Sequence, residues 1–107
     1  MPQQTTPAQA PRTVKHSEGL QQALLVHRIE PSYPILARQA GIEGTVRLHA
    51  VIGRDGTVHE IEVLSGHPLL VRAALDGVRE WRYQPTLLHS VPVEVETYIT
   101  VVFQLRR

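Results

Sequence analysis

The clearest hydrophobic pattern lies at the end of the chain. Val91, Val93, Val95, Thr97, Ile99, Val101, Phe103 and Leu105 alternate with Pro92, Glu94, Glu96, Tyr98, Thr100, Val102 and Gln104. A period of two with apolar residues on one side predicts a long strand buried on one face only. The same period runs from Gly44 to Ile52, with Val46, Leu48, Ala50 and Ile52 facing one way. After a Gly53-Arg54-Asp55-Gly56 turn, a second strand runs from Val58 to Leu64. The hairpin register that matches chemistry on both faces sets Val46 opposite Val63, Leu48 opposite Ile61, Arg47 opposite Glu62 and His49 opposite Glu60.

Helical spacing appears twice. Pro34 suits the first position of a short helix through Ala40, where a missing N–H costs nothing, and Gly41 suits a left-handed stop. Pro68 opens a longer helix, with His67 helping to start it. Leu70, Ala74, Val78 and Trp81 form its buried stripe, and small Ala73 and Gly77 beside them are expected to let it lie close to a sheet. Gln84-Pro85 is its expected end. Thr86–Leu88 and Val91 flank a turn at His89-Ser90. Between Gly19 and Glu30 the alternation is weak, with Ala23, Leu25 and Ile29 on one side and Leu24 and Val26 on the other. A strand there has a poorly specified register.

This order predicts an α+β fold: a small antiparallel sheet of three to four strands with two helices packed on one face. The expected core is Val46, Leu48, Ile61, Val63, Leu70, Ala74, Val78 and Trp81. Residues 1–18, rich in Pro, Gln and Thr, are read as the end of a flexible linker, and residues 19–107 as the domain.

A chain of 107 residues holds one domain. Its formal charge of +1 argues against nucleic acid as the main partner. There is no cysteine, hence no disulfide or thiol chemistry. No apolar run reaches the ~20 residues of a membrane span, and no signal-peptide pattern is visible.

Candidate chemistry is sparse. His16, His27, His49, His59, His67 and His89 lack metal-ligand spacing, and the expected register puts His49 and His59 on opposite faces; no metal or other cofactor is expected. Ser65 and Ser90 show no triad pattern, and Glu60, Glu62, Glu94 and Glu96 alternate as solvated strand faces do, so no catalysis is expected. Trp81 reads as a core anchor. Tyr33 and Pro34 either fix the entry to the first helix or contact a partner. Arg82 and Tyr83 are partner contacts or structural, with Tyr83 capping the core edge and its hydroxyl in water.

One set of motifs resembles a known family. Tyr33-Pro34, Ala37, Ala40-Gly41-Ile42-Glu43-Gly44-Thr45-Val46, Asp55-Gly56-Thr57-Val58, Ser65-Gly66-His67-Pro68-Leu69, Ala73-Ala74, Trp81-Arg82-Tyr83-Gln84-Pro85 and Pro92-Val93 follow in the order of the TonB C-terminal domain family, over about residues 33–105. His89-Ser90 departs from the Asn-Gly common there, which predicts a looser or longer hairpin. The resemblance implies a periplasmic, protein-binding module of a Gram-negative energy transducer. Its parent protein would be anchored in the inner membrane beside a proton-driven ExbB/ExbD-type motor, the anchor lying outside this sequence. The module would grip the TonB box of outer-membrane TonB-dependent transporters by strand addition. The edge implied is the terminal strand, Thr97, Tyr98, Ile99, Thr100, Val101, Val102 and Phe103. A strand formed by Gly19–Ile29 would compete for that edge, within the chain or across a strand-exchanged homodimer. The alternative function is an envelope adaptor or sensor domain of the same fold, without a motor.

Overall fold

The computed structural model describes residues 13–105. In chain order the elements are β1 (Thr13–Lys15), α1 (Glu18–Gln22), β2 (Leu25–His27), α2 (Ile35–Gln39), β3 (Gly44–Ile52), β4 (Val58–Ser65), α3 (Pro68–Val78), β5 (Arg82–Tyr83), β6 (Thr86–Leu88) and β7 (Val91–Phe103). The fold is α+β. β7 and β3 form the centre of the main sheet, paired antiparallel from Gly44↔Phe103 to Ile52↔Val95. β4 flanks β3, β1 flanks β7, and β6 returns along the start of β7. β2 and β5 make a separate two-stranded ribbon.

The alternation in β7 does what its period predicts. Val93, Val95, Thr97, Ile99, Val101 and Phe103 are buried, and their even-numbered neighbours are half-buried or exposed. Val46, Leu48, Ala50 and Ile52 of β3 join that apolar face, and Leu70, Ala74 and Val78 of α3, Ala37 of α2 and Trp81 complete the core. α3 starts as its sequence predicts: Pro68 stands in its first turn, and Nδ1 of His67 accepts the N–H of Leu69 at 3.0 Å. Gly41 takes the left-handed stop after α2, with φ +68°.

Several expectations are corrected. The hairpin register is displaced by two residues, pairing Leu48↔Val63, His49↔Glu62, Ala50↔Ile61 and Val51↔Glu60. The turn is one residue longer than expected, closed by Gly53 N–H donating to Thr57 O at 2.7 Å, and an irregularity at His59 adds the second residue. Beyond the irregularity the shift is even, so Ile61 and Val63 keep the inward face, while Val58, opposite Ile52, takes the inward place expected for His59. Val63 is nevertheless 39% exposed, and Ile61 is half-buried, because β4 is the outer strand of the sheet.

α3 stops at Val78 rather than continuing through Trp81. The chain then turns so that Arg82–Tyr83 pairs with β2, and Tyr83 N–H donates to Gly56 O at 2.8 Å. Gly56 has φ +86°, and a Cβ there would lie 2.0 Å from Tyr83 O, so only glycine permits this approach. Gly77 lets α3 approach Pro31, not the sheet: its would-be Cβ lies 3.0 Å from Pro31 Cγ. His89-Ser90 is a tight two-residue turn, not a loose one, with φ of +52° and +68°.

Order also begins earlier than expected. Thr13–Lys15 pairs parallel with Glu94–Glu96, and Glu18–Gln22 is helical, with Ser17 Oγ accepting Leu20 N–H at 3.1 Å. The sheet therefore gains a parallel strand, and the fold a third helix. The rest of the expected linker, residues 1–12, lies outside the described residues.

Candidate functional site

The feature that sets β7 apart is its side away from β3. Along that side β1 covers Glu94–Glu96, and the His16 N–H donates to Glu96 O at 2.9 Å. Backbone polar groups point to alternate sides along a strand, so Tyr98, Thr100 and Val102 direct N–H and C=O the same way as Glu96. Thr97, Ile99, Val101 and Phe103 direct theirs to β3. Among the described residues no strand pairs with the outer side of 97–103. Val102 is 58% exposed and Tyr98 46%, so the edge carries apolar surface as well as open backbone groups.

The segment expected as a competing strand does not take that form. Glu18–Gln22 is helical, and Leu25–His27 pairs with β5. α1 instead borders the first part of the edge. Thr97 Oγ donates to Ser17 O at 3.4 Å, and Thr100 Oγ donates to Glu18 Oε1 at 3.1 Å. Between α1, the β2–β5 ribbon and the edge lies a shallow cleft lined by Gln21, Leu25, Arg28, Trp81, Tyr83 and Ile99, among others. Trp81 is 5% exposed, its Nε1–H donates to Ile29 O at 2.9 Å, and the Arg28 guanidinium stands 5.2 Å from its ring centre. Gln21 is 1% exposed. Its Oε1 lies 2.7 Å from His16 Nδ1, while its Nε2 is buried without a partner.

The other sequence-predicted contacts are engaged within the domain. Tyr83 is only 4% exposed; burial, with Glu18 nearby, pushes its pKa up to about 12. The Arg82 guanidinium turns back to donate to Trp81 O at 2.9 Å. Tyr33 donates its hydroxyl to Ile42 O and meets Phe103 edge-on at 5.5 Å, fixing the entry to α2, with Pro34 as the N-cap residue. His49 faces Glu96 at 3.4 Å and Glu62 at 4.0 Å on the solvent side of the sheet, whereas His59 sits 3.6 Å from Asp55 at the hairpin turn. Sequence reasoning missed Glu18, Gln21 and Arg28. The Ser17 cap was the one signal for α1, and nothing local places that helix beside β7.

Comparison with known proteins agrees with this architecture. Protein TonB of Vibrio cholerae is 34% identical over 78% of this chain, and Protein TonB of Klebsiella pneumoniae is 38% identical over 55%. The chain spans 35% and 25% of the lengths of those two relatives. The solution structure of the Pseudomonas aeruginosa TonB CTD superposes with a TM-score of 0.67, at 26% identity over 78% of this chain and 86% of that one. The TonB2 protein of Vibrio anguillarum gives 0.61, at 32% identity over 81% of this chain and 85% of that one. The family model for the Gram-negative bacterial TonB protein C-terminal region matches residues 29–105, and the chain belongs to that family.

Proposed function

We propose that this domain is the periplasmic protein-binding module of a TonB-type energy transducer, and that it grips the TonB box of outer-membrane transporters by strand addition to β7. The observation that carries the reading is the outer side of Tyr98–Val102, which no strand pairs among the described residues, in a sheet whose central strand is otherwise paired. An extended segment placed there satisfies a row of open N–H and C=O groups, while Val102 and Tyr98 offer apolar contact. The role is one of binding, with force delivered through the chain. We assign the inner-membrane anchor and the contact with an ExbB/ExbD-type motor to parts of the parent protein outside this sequence. A second copy of the domain, exchanging strands, would use the same edge and compete with the transporter.

The test is NMR shift mapping with a transporter N-terminal peptide that contains the TonB box. Expected perturbations centre on Tyr98–Val102 and on the facing residues of α1. Perturbations confined to α3, with Tyr98–Val102 silent, would overturn strand addition. Sedimentation over a concentration range separates peptide capture from self-association.

A further inference from the structure

We infer that the cleft between α1 and the outer side of β7 is a specificity subsite, which takes a side chain bearing a carbonyl or carboxylate oxygen from the docked segment. The inference rests on the strand-addition reading above. Its starting point is Gln21. A buried amide N–H₂ with no acceptor is costly in a folded domain, and such groups are normally satisfied. Gln21 lines the cleft and is held in place by α1 and by the 2.7 Å contact of its Oε1 with His16, while its Nε2 is buried without an acceptor among the described residues.

The surroundings define what can answer it. Trp81, Tyr83, Leu25 and Ile99 supply apolar walls for the stem of a side chain, and Arg28 supplies a second donor group. Arg28 is not locked away: its partner Glu30 is 3.9 Å distant and mostly exposed, an arrangement worth little in water. Glu18 also lines the cleft and is tied to Thr100. Two donors over an aromatic floor suit Gln, Glu, Asn or Asp and disfavour Lys, which would bring donors to donors.

The occupant follows from position. Tyr98, Ile99 and Thr100 line both the cleft and the docking edge. Residues opposite one another in a sheet share a face. The residue that an added strand places beside Ile99 therefore projects to the core side, toward Gln21 and Arg28. Its neighbours, beside Tyr98 and Thr100, project to the other face. Backbone pairing alone is blind to sequence; this cleft would let the domain read one position of the segment.

The experiment is a peptide scan by calorimetry against the wild-type domain and two variants, Gln21→Met and Gln21→Glu, each checked for folding by its amide spectrum. The probe is the TonB-box peptide, with Gln, Leu or Lys placed at each position in turn. At one position wild type should prefer Gln over Leu by roughly tenfold in Kd, the equivalent of about 1.4 kcal/mol. Gln21→Met should cut that preference to under twofold, and Gln21→Glu should favour Lys there. A preference for Gln that is equal in wild type and both variants, or no preference at any position, overturns the subsite while peptide binding itself upholds strand addition. Loss of all binding, with Tyr98–Val102 unperturbed, marks failure of the docking reading instead.

Discussion

Thr100 donates its hydroxyl to the Glu18 carboxylate at 3.1 Å, which ties the first helix of the domain to the outer side of its last strand. In the strand addition proposed above, that bond lies where the docked segment settles. An incoming strand has to displace it or work around it, so the α1 arm opposes docking at the same edge it helps to frame. Glu18→Ala should therefore tighten peptide binding by about threefold to tenfold, the equivalent of one hydrogen bond. Calorimetry checks it. Unchanged or weaker binding would show that Glu18 does not stand in the way.

Trp81→Ala should cost about 3–5 kcal/mol of stability, the usual loss for deleting a large buried aromatic. The ring sits in the core, its indole N–H is bonded to Ile29 O, and Arg28 covers it. Trp81→Phe keeps most of the volume and should lose about 1 kcal/mol, the net value of one hydrogen bond. Urea melts separate the two, and equal midpoints for both variants would contradict the assignment.

The His89-Ser90 turn needs positive φ at both residues, and neither is glycine. Side chains in that region crowd the following carbonyl. Ser90→Gly should stabilise the domain by about 1 kcal/mol, because the turn geometry is already primed for the strand twist. A lower thermal midpoint for the variant would mean that Ser90 contributes more than backbone geometry.

Tyr83 gives a pH dependence. Its pKa in the fold is raised to about 12 from an ordinary value near 10.0 by burial, with Glu18 adding to the shift. A raised folded-state pKa favours the protonated native form, so this contribution is complete below pH ~10 and is lost as pH rises from there through ~12. Stability measured at pH 9 and pH 11.5 should fall more steeply in wild type than in Tyr83→Phe. Parallel slopes would remove Tyr83 as the cause.

What the sequence disclosed and what it hid divide along physical lines. The faces of β3 and β7 were legible, because a period of two needs no knowledge of the partner strand. The caps at His67 and Gly41 were legible, because they depend on neighbours in sequence. The hairpin register was not: it hinges on the longer turn closed at Thr57 and the irregularity at His59, and both registers match apolar residues to apolar residues. The end of α3 was hidden because Trp81 continues the helical spacing, while the break is set by Tyr83 bonding to distant Gly56. β1 was hidden for a similar reason. Thr13–Lys15 carries one sizeable apolar residue and becomes a strand only beside Glu94–Glu96. For the site, β7 was visible as a one-sided strand pattern. The cleft beside it was not, since Gln21, Arg28 and Trp81 meet through tertiary packing alone.

The sharpest test of the docking edge uses proline, which lacks the N–H donor and fits a strand only where that donor is not needed. His16 bonding to Glu96 O fixes the phase: Tyr98, Thr100 and Val102 turn their N–H groups outward, while Ile99 and Val101 turn theirs to β3. Proline at Tyr98, Thr100 or Val102 leaves the β3–β7 ladder intact and removes one donor from the docking row. Each of these three variants should fold, and the Tyr98 and Val102 variants should bind the peptide at least several-fold more weakly than wild type, by the loss of about one hydrogen bond. Proline at Ile99 or Val101 removes a ladder bond from the middle of the sheet and clashes with β3. Those variants should lose about 3 kcal/mol or more of stability, on the order of the cost of interior proline elsewhere. A period of two is therefore expected in both readouts, with opposite phase. Thr100 is the most informative position, since its hydroxyl also bonds Glu18: Thr100→Val and Thr100→Pro both delete that bond, but only Thr100→Pro also removes the backbone donor, so Thr100→Val should tighten binding and Thr100→Pro should bind several-fold more weakly than Thr100→Val. Wild-type peptide affinity in Tyr98 and Val102 proline variants that fold normally would show that the partner does not pair with this edge, whatever else it touches.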